Sequence, residues 1–154
     1  MLIDRRNLMS LLPAVIAQSA LLTALSDPSS AQTAPASGPL PSAVYQFENL
    51  SVHAFDTGES RPILKGKLVT GETIEVHETT LRAGGSPHPP HHHEHTEMWM
   101  IREGAVEITI EGKAYRMGPG SVGFVRSNEE HGISNPGNTS ATYFVVEIGP
   151  TAGT

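Results

Sequence analysis

The 154-residue chain has no cysteine. Disulfides, thiolate metal sites, a cysteine nucleophile and a lipid-anchored export signal are therefore excluded, and any metal must be held by His, Asp or Glu. A basic stripe is missing too: ten lysines and arginines are scattered among sixteen acidic residues, for a formal net charge of -6. A phosphate backbone would find little to bind, so nucleic acid is not an expected partner. Long stretches of Ala, Leu, Glu and Lys are absent beyond the N-terminus, whereas 15 glycines and 12 prolines punctuate the chain. The composition predicts a single all-β domain with many turns.

Nor is there a clean apolar run long enough for a stable membrane anchor. Leu8 to Leu25 is moderately apolar but carries Ser10, Pro13, Gln18, Ser19 and Thr23. Arg5 and Arg6 stand before it, and small-residue sites follow at Ser29-Ser30-Ala31 and Ala34-Pro35-Ala36. Residues 1–36 thus read as a removable signal and the start of a linker, and the arginine pair resembles a twin-arginine signal, with Asp4 and Leu8 departing from its usual residues. The expected location is periplasmic or secreted, with a mature N-terminus between Gln32 and Gly38. Gln32 to Pro41 is rich in Ala, Pro, Ser and Gly and reads as flexible linker. Linker and an N-terminal strand are assigned to 37–59 and the main domain to 60–149.

From Val44 onward, short β-type segments alternate with turn signals. The expected strands are Gln46–Phe55, Ile63–Thr70, Thr73–Leu81, His91–Ile101, Ala105–Ile110, Lys113–Met117, Ser121–Val125, Gly132–Ser134 and Ala141–Ile148. Thr70-Gly71-Glu72 and Glu111-Gly112 read as hairpin turns. Many short strands without a helical period predict a sandwich or small barrel.

Pro87 to Glu97 holds five histidines and two glutamates in eleven residues. On a strand, His91, His93 and Glu97 share parity and converge on one face. Imidazole and carboxylate suit Mn, Fe, Ni, Co, Zn or Cu, and a further ligand is expected from a distant strand, for which His131 is the best candidate. Three His and one Glu leave open positions on a five- or six-coordinate ion, as catalysis requires. A histidine-rich patch is otherwise a surface scavenger or a solvated loop. His88, His92 and His95 suit that reading, although His95 shares the inward parity and also fits a bulge or a supporting position. His53 and His77 read as isolated packing or surface residues. Trp99 and Ile101 continue the inward parity as core, and Trp99 is also placed to line a pocket. Glu78, Tyr115 and Tyr143 cannot be assigned to a pocket by parity.

The spacing resembles the cupin superfamily. Gly85, His91, His93, Glu97 and Gly104 meet every fixed position of its first motif, Gly-x5-His-x-His-x3-Glu-x6-Gly. Gly120, His131 and Asn135 fall in register with the second, while Arg126 and Asn128 stand where Pro and Gly are usual. Asn tolerates the left-handed backbone that such a Gly provides. Over about Ser60 to Gly149 the resemblance implies a double-stranded β-helix barrel, one divalent metal ion on His91, His93, Glu97 and His131, and a homodimer. It also implies a small-molecule ligand or substrate. Such barrels host dioxygenases, isomerases, lyases, decarboxylases and plain binding proteins, so the fold does not fix the reaction. The leading expectation is a metal-dependent enzyme acting on a small oxygenated molecule: a carboxylate, sugar derivative or phenolic. The alternative is a non-catalytic periplasmic protein that binds a small ligand or holds the metal. A sensor is disfavoured because no DNA-binding or signalling segment is legible beside the strands. Mn or Fe is favoured over Zn, Ni, Co or Cu if the protein folds and loads before export.

Overall fold

A computed structural model describes residues 38–150. The expected signal and the start of the linker lie outside the described residues. After a 3-10 turn, Phe47–Asn49, nine strands follow: β1 His53–Phe55, β2 Gly58–Lys67, β3 Thr73–Leu81, β4 Thr96–Glu103, β5 Val106–Ile110, β6 Lys113–Met117, β7 Val122–Val125, β8 His131–Ser134 and β9 Ala141–Gly149. They form an antiparallel six-stranded sheet in the order β1-β2-β3-β9-β4-β7 and a three-stranded sheet in the order β6-β5-β8. This is the all-β, double-stranded β-helix architecture expected from the sequence.

Alternation places the core. Leu81, Trp99, Ile101, Val125, Tyr143 and Val145 of the larger sheet meet Val106, Ile108, Met117 and Ile133 of the smaller one in one buried cluster. Each fully buried Val, Leu or Ile contributes about 1.5–3 kcal/mol relative to exposure, so this cluster is what closes the barrel. The same parity carries Glu75 and His77 on β3, Glu97 on β4 and Glu147 on β9 onto the inner face. The interior therefore grades from an apolar floor to a polar mouth.

Both hairpins form as expected. Glu111 and Gly112 take positive φ values of 49° and 74°, the backbone that a two-residue turn demands. Two expectations need correction. Gln46–Phe55 is not one strand: the 3-10 turn occupies its start and only His53–Phe55 pairs. Nor is His91–Ile101 continuous. The ladder of β4 begins at Thr96, and His91 to His95 form an irregular approach held by a single bridge. The two prolines before His91, which cannot donate to a ladder, are consistent with that break.

Candidate metal centre

The bridge is what brings two of the histidines together. His91 N–H donates to the His131 carbonyl at 2.9 Å and His131 N–H returns the bond at 2.8 Å, so the two residues stand directly opposite across the barrel's edge. Paired residues point the same way, and their ring centroids are 4.8 Å apart. His93 is secured separately, by Asn128 N–H donating to its carbonyl at 2.8 Å. Asn128 has φ +63°, the left-handed backbone expected at this motif position. Glu97 arrives from the first turn of β4's ladder, opposite Glu147.

Donor nitrogens of His91, His93 and His131 all lie within 4.8 Å of one another, as do the donor atoms of His93, His95 and Glu97. The expected ligands thus fall into two triads that share His93, and Glu97 Oε2 of the second also stands 3.5 Å from His131 Nε2 of the first. Their convergence has a different cause from the one expected: a cross-strand bridge and a tethered loop, instead of one unbroken strand. Exposure nevertheless alternates through the loop, His92 and Glu94 being exposed while His91, His93 and His95 are partly covered.

Hydrogen bonds select the imidazole tautomers. His93 Nδ1 donates to the His95 carbonyl at 2.9 Å and His131 Nδ1 donates to the Glu129 carbonyl at 2.8 Å. A carbonyl only accepts, so each Nδ1 carries its proton and each Nε2 offers a lone pair. Both Nε2 atoms face Glu97 Oε2, at 2.9 Å from His93 and 3.5 Å from His131. His91 Nδ1, His95 Nε2 and His131 Nε2 are buried without a hydrogen-bond partner among the described residues. Buried polar atoms are ordinarily satisfied, and lone pairs converging on a carboxylate call for a cation between them. The donor set therefore fits a divalent ion.

Electrostatics follow from this crowding. His91 is pushed down to about 4 by burial and by the neighbouring His88, His131 and His93. Burial also opposes the charge on Glu97, but His131 and His93, which favour its ionised form once they take up a second proton, prevail and hold it below the usual carboxylate range. Glu147 is driven up to about 7 by burial and by the Glu97 and Glu75 carboxylates.

The remaining residues separate clearly. Trp99 is 1% exposed and its ring meets that of His131 at 5.5 Å, so it is both core and floor of the site. His88 sets its ring edge on His91 at 4.2 Å, and His95 stacks on His93 at 3.4 Å. Tyr115 is exposed beside Lys113 on the outer surface, Tyr143 is buried core, and Glu78 is buried against Arg102 at 2.8 Å. His53 is exposed, and His77 is a partly covered residue on the inner face. Asn135 is 1% exposed and donates to the Leu81, Arg82 and Thr139 carbonyls at 3.2, 3.1 and 2.8 Å, locking the end of β8 to the turn that precedes the histidine loop. Glu75 and Glu147 were not foreseen as part of this region, although the alternation of buried residues along β3 and β9 points to both.

Residues 77–147 match the family described as the cupin domain. Over these residues the barrel is similar to the cupin domain. Among similar proteins, L-ectoine synthase of Bordetella petrii is 38% identical over 78 residues, covering 49% of this chain and 56% of that enzyme. The chain thus spans little more than half the length of this curated relative. A cupin described as RmlC-like from Shewanella frigidimarina superposes with a TM-score of 0.60 at 15% identity, over 71% of this chain and 94% of that one. A predicted oxalate decarboxylase from Thermotoga maritima gives 0.58 at 23% identity, over 70% and 99%. These solved structures support the cupin fold.

Proposed function

We propose that this protein is a cupin and a metal-dependent enzyme acting on a small oxygenated molecule, with His91, His93, Glu97 and His131 as the ligands of one divalent ion. One observation carries the reading: the Nε2 lone pairs of His93 and His131, each fixed by a proton held on Nδ1, converge on Glu97 Oε2. Carbonyls that orient ligating imidazoles in this way also raise their basicity as ligands. A bound ion would act as a Lewis acid toward carbonyl, carboxylate or hydroxyl oxygen. The protein's own part is to exclude water beneath the site with the buried Trp99. The names of the similar proteins, an ectoine synthase and a predicted oxalate decarboxylase, favour a catalytic cupin over a purely structural one.

Mn or Fe is the proposed metal, export the proposed fate and a homodimer the proposed assembly. The dimer is supported by the outer face of the large sheet, where Met100, Val122, Phe124 and Ile148 are exposed side by side.

The test is elemental analysis of the native protein followed by a substrate panel of small carboxylates, sugar derivatives and phenolics, each with and without metal. Turnover that requires about one ion per chain supports the enzyme. Stoichiometric metal with ligand binding but no turnover across the panel favours the binding-protein alternative.

A further inference from the structure

One row of charged side chains crosses the inner wall at the level of the ligands. Glu97 stands opposite Glu147, Glu147 opposite Glu75, and Glu75 opposite Lys65. Such partners share a face with their Cα atoms about 4.5–5.5 Å apart. Lys65 Nζ pairs with Glu75, which leaves Glu147 with no lysine or arginine partner among the described residues. What faces Glu147 is the imidazole of His95, its Nε2 3.2 Å from Oε2. The Glu147 side chain is 23% exposed, whereas at the other end of the row the fully buried His131 aims its unpartnered Nε2 at Glu97.

Resting on the metal reading above, we infer that the site takes a zwitterionic substrate, a small molecule whose oxygen donors go to the ion and whose protonated amine lies against Glu147. A divalent ion, three carboxylates and one lysine are neutral in sum but unevenly so, positive at the ligands and negative at Glu147. A molecule with an anionic oxygen at one end and an ammonium at the other matches both poles. A simple anion satisfies the first pole and sits beside a carboxylate whose only close partner is the His95 imidazole, a like-charge contact that a partly desolvated site makes costly. Glu147 is thus a specificity-determining residue for the ligand's amine.

The experiment uses protein reconstituted with Co(II), whose visible spectrum reports ligands entering the coordination sphere. The probes are straight-chain ω-amino carboxylates of increasing length, each paired with the alkyl carboxylate in which a methyl group replaces the ammonium. At least one amino carboxylate is expected to bind about tenfold or more tightly than its methyl isostere, the discrimination of one charge-assisted contact. Glu147→Gln should abolish that preference with Co(II) uptake retained. Equal binding of each pair, no binding of any amino carboxylate, or a preference that survives Glu147→Gln overturns the inference. Two equivalents of Co(II) in the wild type and one in Glu147→Gln assign the row to a second ion and overturn it as well. Failure to take up Co(II) at all is a different result, which sinks the metal reading itself. The isostere comparison on the wild type stands alone should the variant not fold.

Discussion

His93 Nε2 stands 2.9 Å from Glu97 Oε2 while His93 Nδ1 is committed to the His95 carbonyl. With the ring proton on Nδ1, nitrogen and carboxylate oxygen are both acceptors, and the contact is stable only with a cation shared between them. Two donors about 2.1 Å from a common ion, set at a right angle, stand about 3 Å apart, so the spacing suits a metal as well as a proton.

Removing a ligand should therefore do more than weaken a hydrogen bond. His91→Ala, His93→Ala, Glu97→Ala and His131→Ala are each expected to lose tight binding of a single ion. They should also lose the metal-dependent stabilisation, about 2.7 kcal/mol for a ligand at a hundred times its Kd, and with it the rise in Tm. His92→Ala, on an exposed side chain, should retain both. His95→Ala should keep the ion and lose about 10 to 100-fold in affinity, the usual cost of removing a group that only positions ligands. Metal stoichiometry by elemental analysis and thermal melts decide it. A full equivalent in His131→Ala together with none in His92→Ala would point to a local histidine cluster instead.

Much of this site was legible in the sequence because spacing encodes it. His91, His93 and Glu97 sit at fixed intervals, and His131 is placed by the glycine and asparagine around it. The mechanism of convergence was not legible. Strand parity requires an unbroken ladder, and the chain breaks it before Thr96, so the bridge between His91 and His131, forty residues apart in sequence, does the work. Bridges of that kind depend on tertiary register, which no local pattern prints. Glu147 and Glu75 were missed for another reason. Their strands were assigned correctly, but a lone acidic residue on a strand signals nothing until register sets it beside another.

In the metal-free protein, His91 should cost stability as the solution is acidified. His91 has an ordinary value of 6.5 and a folded value of about 4, so its contribution is complete above about 6.5 and is lost as pH falls through 4. His77 and His95 are lowered too, in both cases chiefly by burial, and add to the trend. His131 and Glu147 run against it: Glu97 and the Glu129 carbonyl raise His131 above 6.5 despite its burial, and Glu147, raised from 4.5 to about 7, sheds the cost of its buried charge as pH falls. The measurement is therefore a difference: between pH 7 and 4 the urea midpoint of chelator-treated wild type should fall relative to that of His91→Gln. An unchanged slope in that variant removes His91 as a cause.

Asn128 offers a backbone test of the same site. Its left-handed φ of +63° suits Asn and Gly, and its N–H holds the His93 carbonyl. Asn128→Gly is expected to preserve both stability and metal affinity. Asn128→Val should cost about 1–2 kcal/mol through the steric penalty of that conformation and weaken metal binding by loosening His93. Denaturant titrations and Co(II) binding on the two variants check it. Equal behaviour of Gly and Val would show that the turn does not position the loop.

Export and metal choice are tested together. Native protein recovered from outside the cytoplasm is expected to begin between Gln32 and Gly38 and to carry mainly Mn or Fe, trapped when the barrel folded before export. Refolding the same protein in equal Mn and Zn should invert the choice, because nitrogen and oxygen ligands intrinsically prefer Zn. N-terminal sequencing and elemental analysis give both answers. A Zn or Cu majority in the native protein would defeat the folding-order argument, and retention of residues 1–31 would defeat the signal.

The homodimer prediction rests on the outer face of the large sheet. Met98 pairs with Phe124 and Met100 with Val122, so these side chains stand on one face, opposite the barrel interior. Phe124 is 54% exposed and Val122 60%, which is unusual for neighbouring large apolar residues at the edge of a sheet. A stable dimer needs about 800 Å² buried on each partner, and this face, continued through Ile148, is the natural place to bury it. Phe124→Glu sets a charge in its centre and is expected to give a monomer in sedimentation velocity. Its metal stoichiometry should be unchanged, because the ligands lie on the inner face. Tyr115→Glu, on the exposed surface of the smaller sheet, is the control and should leave the association state as it is. A monomeric wild type, or a dimer that survives Phe124→Glu and dissociates with Tyr115→Glu, would place the contact elsewhere.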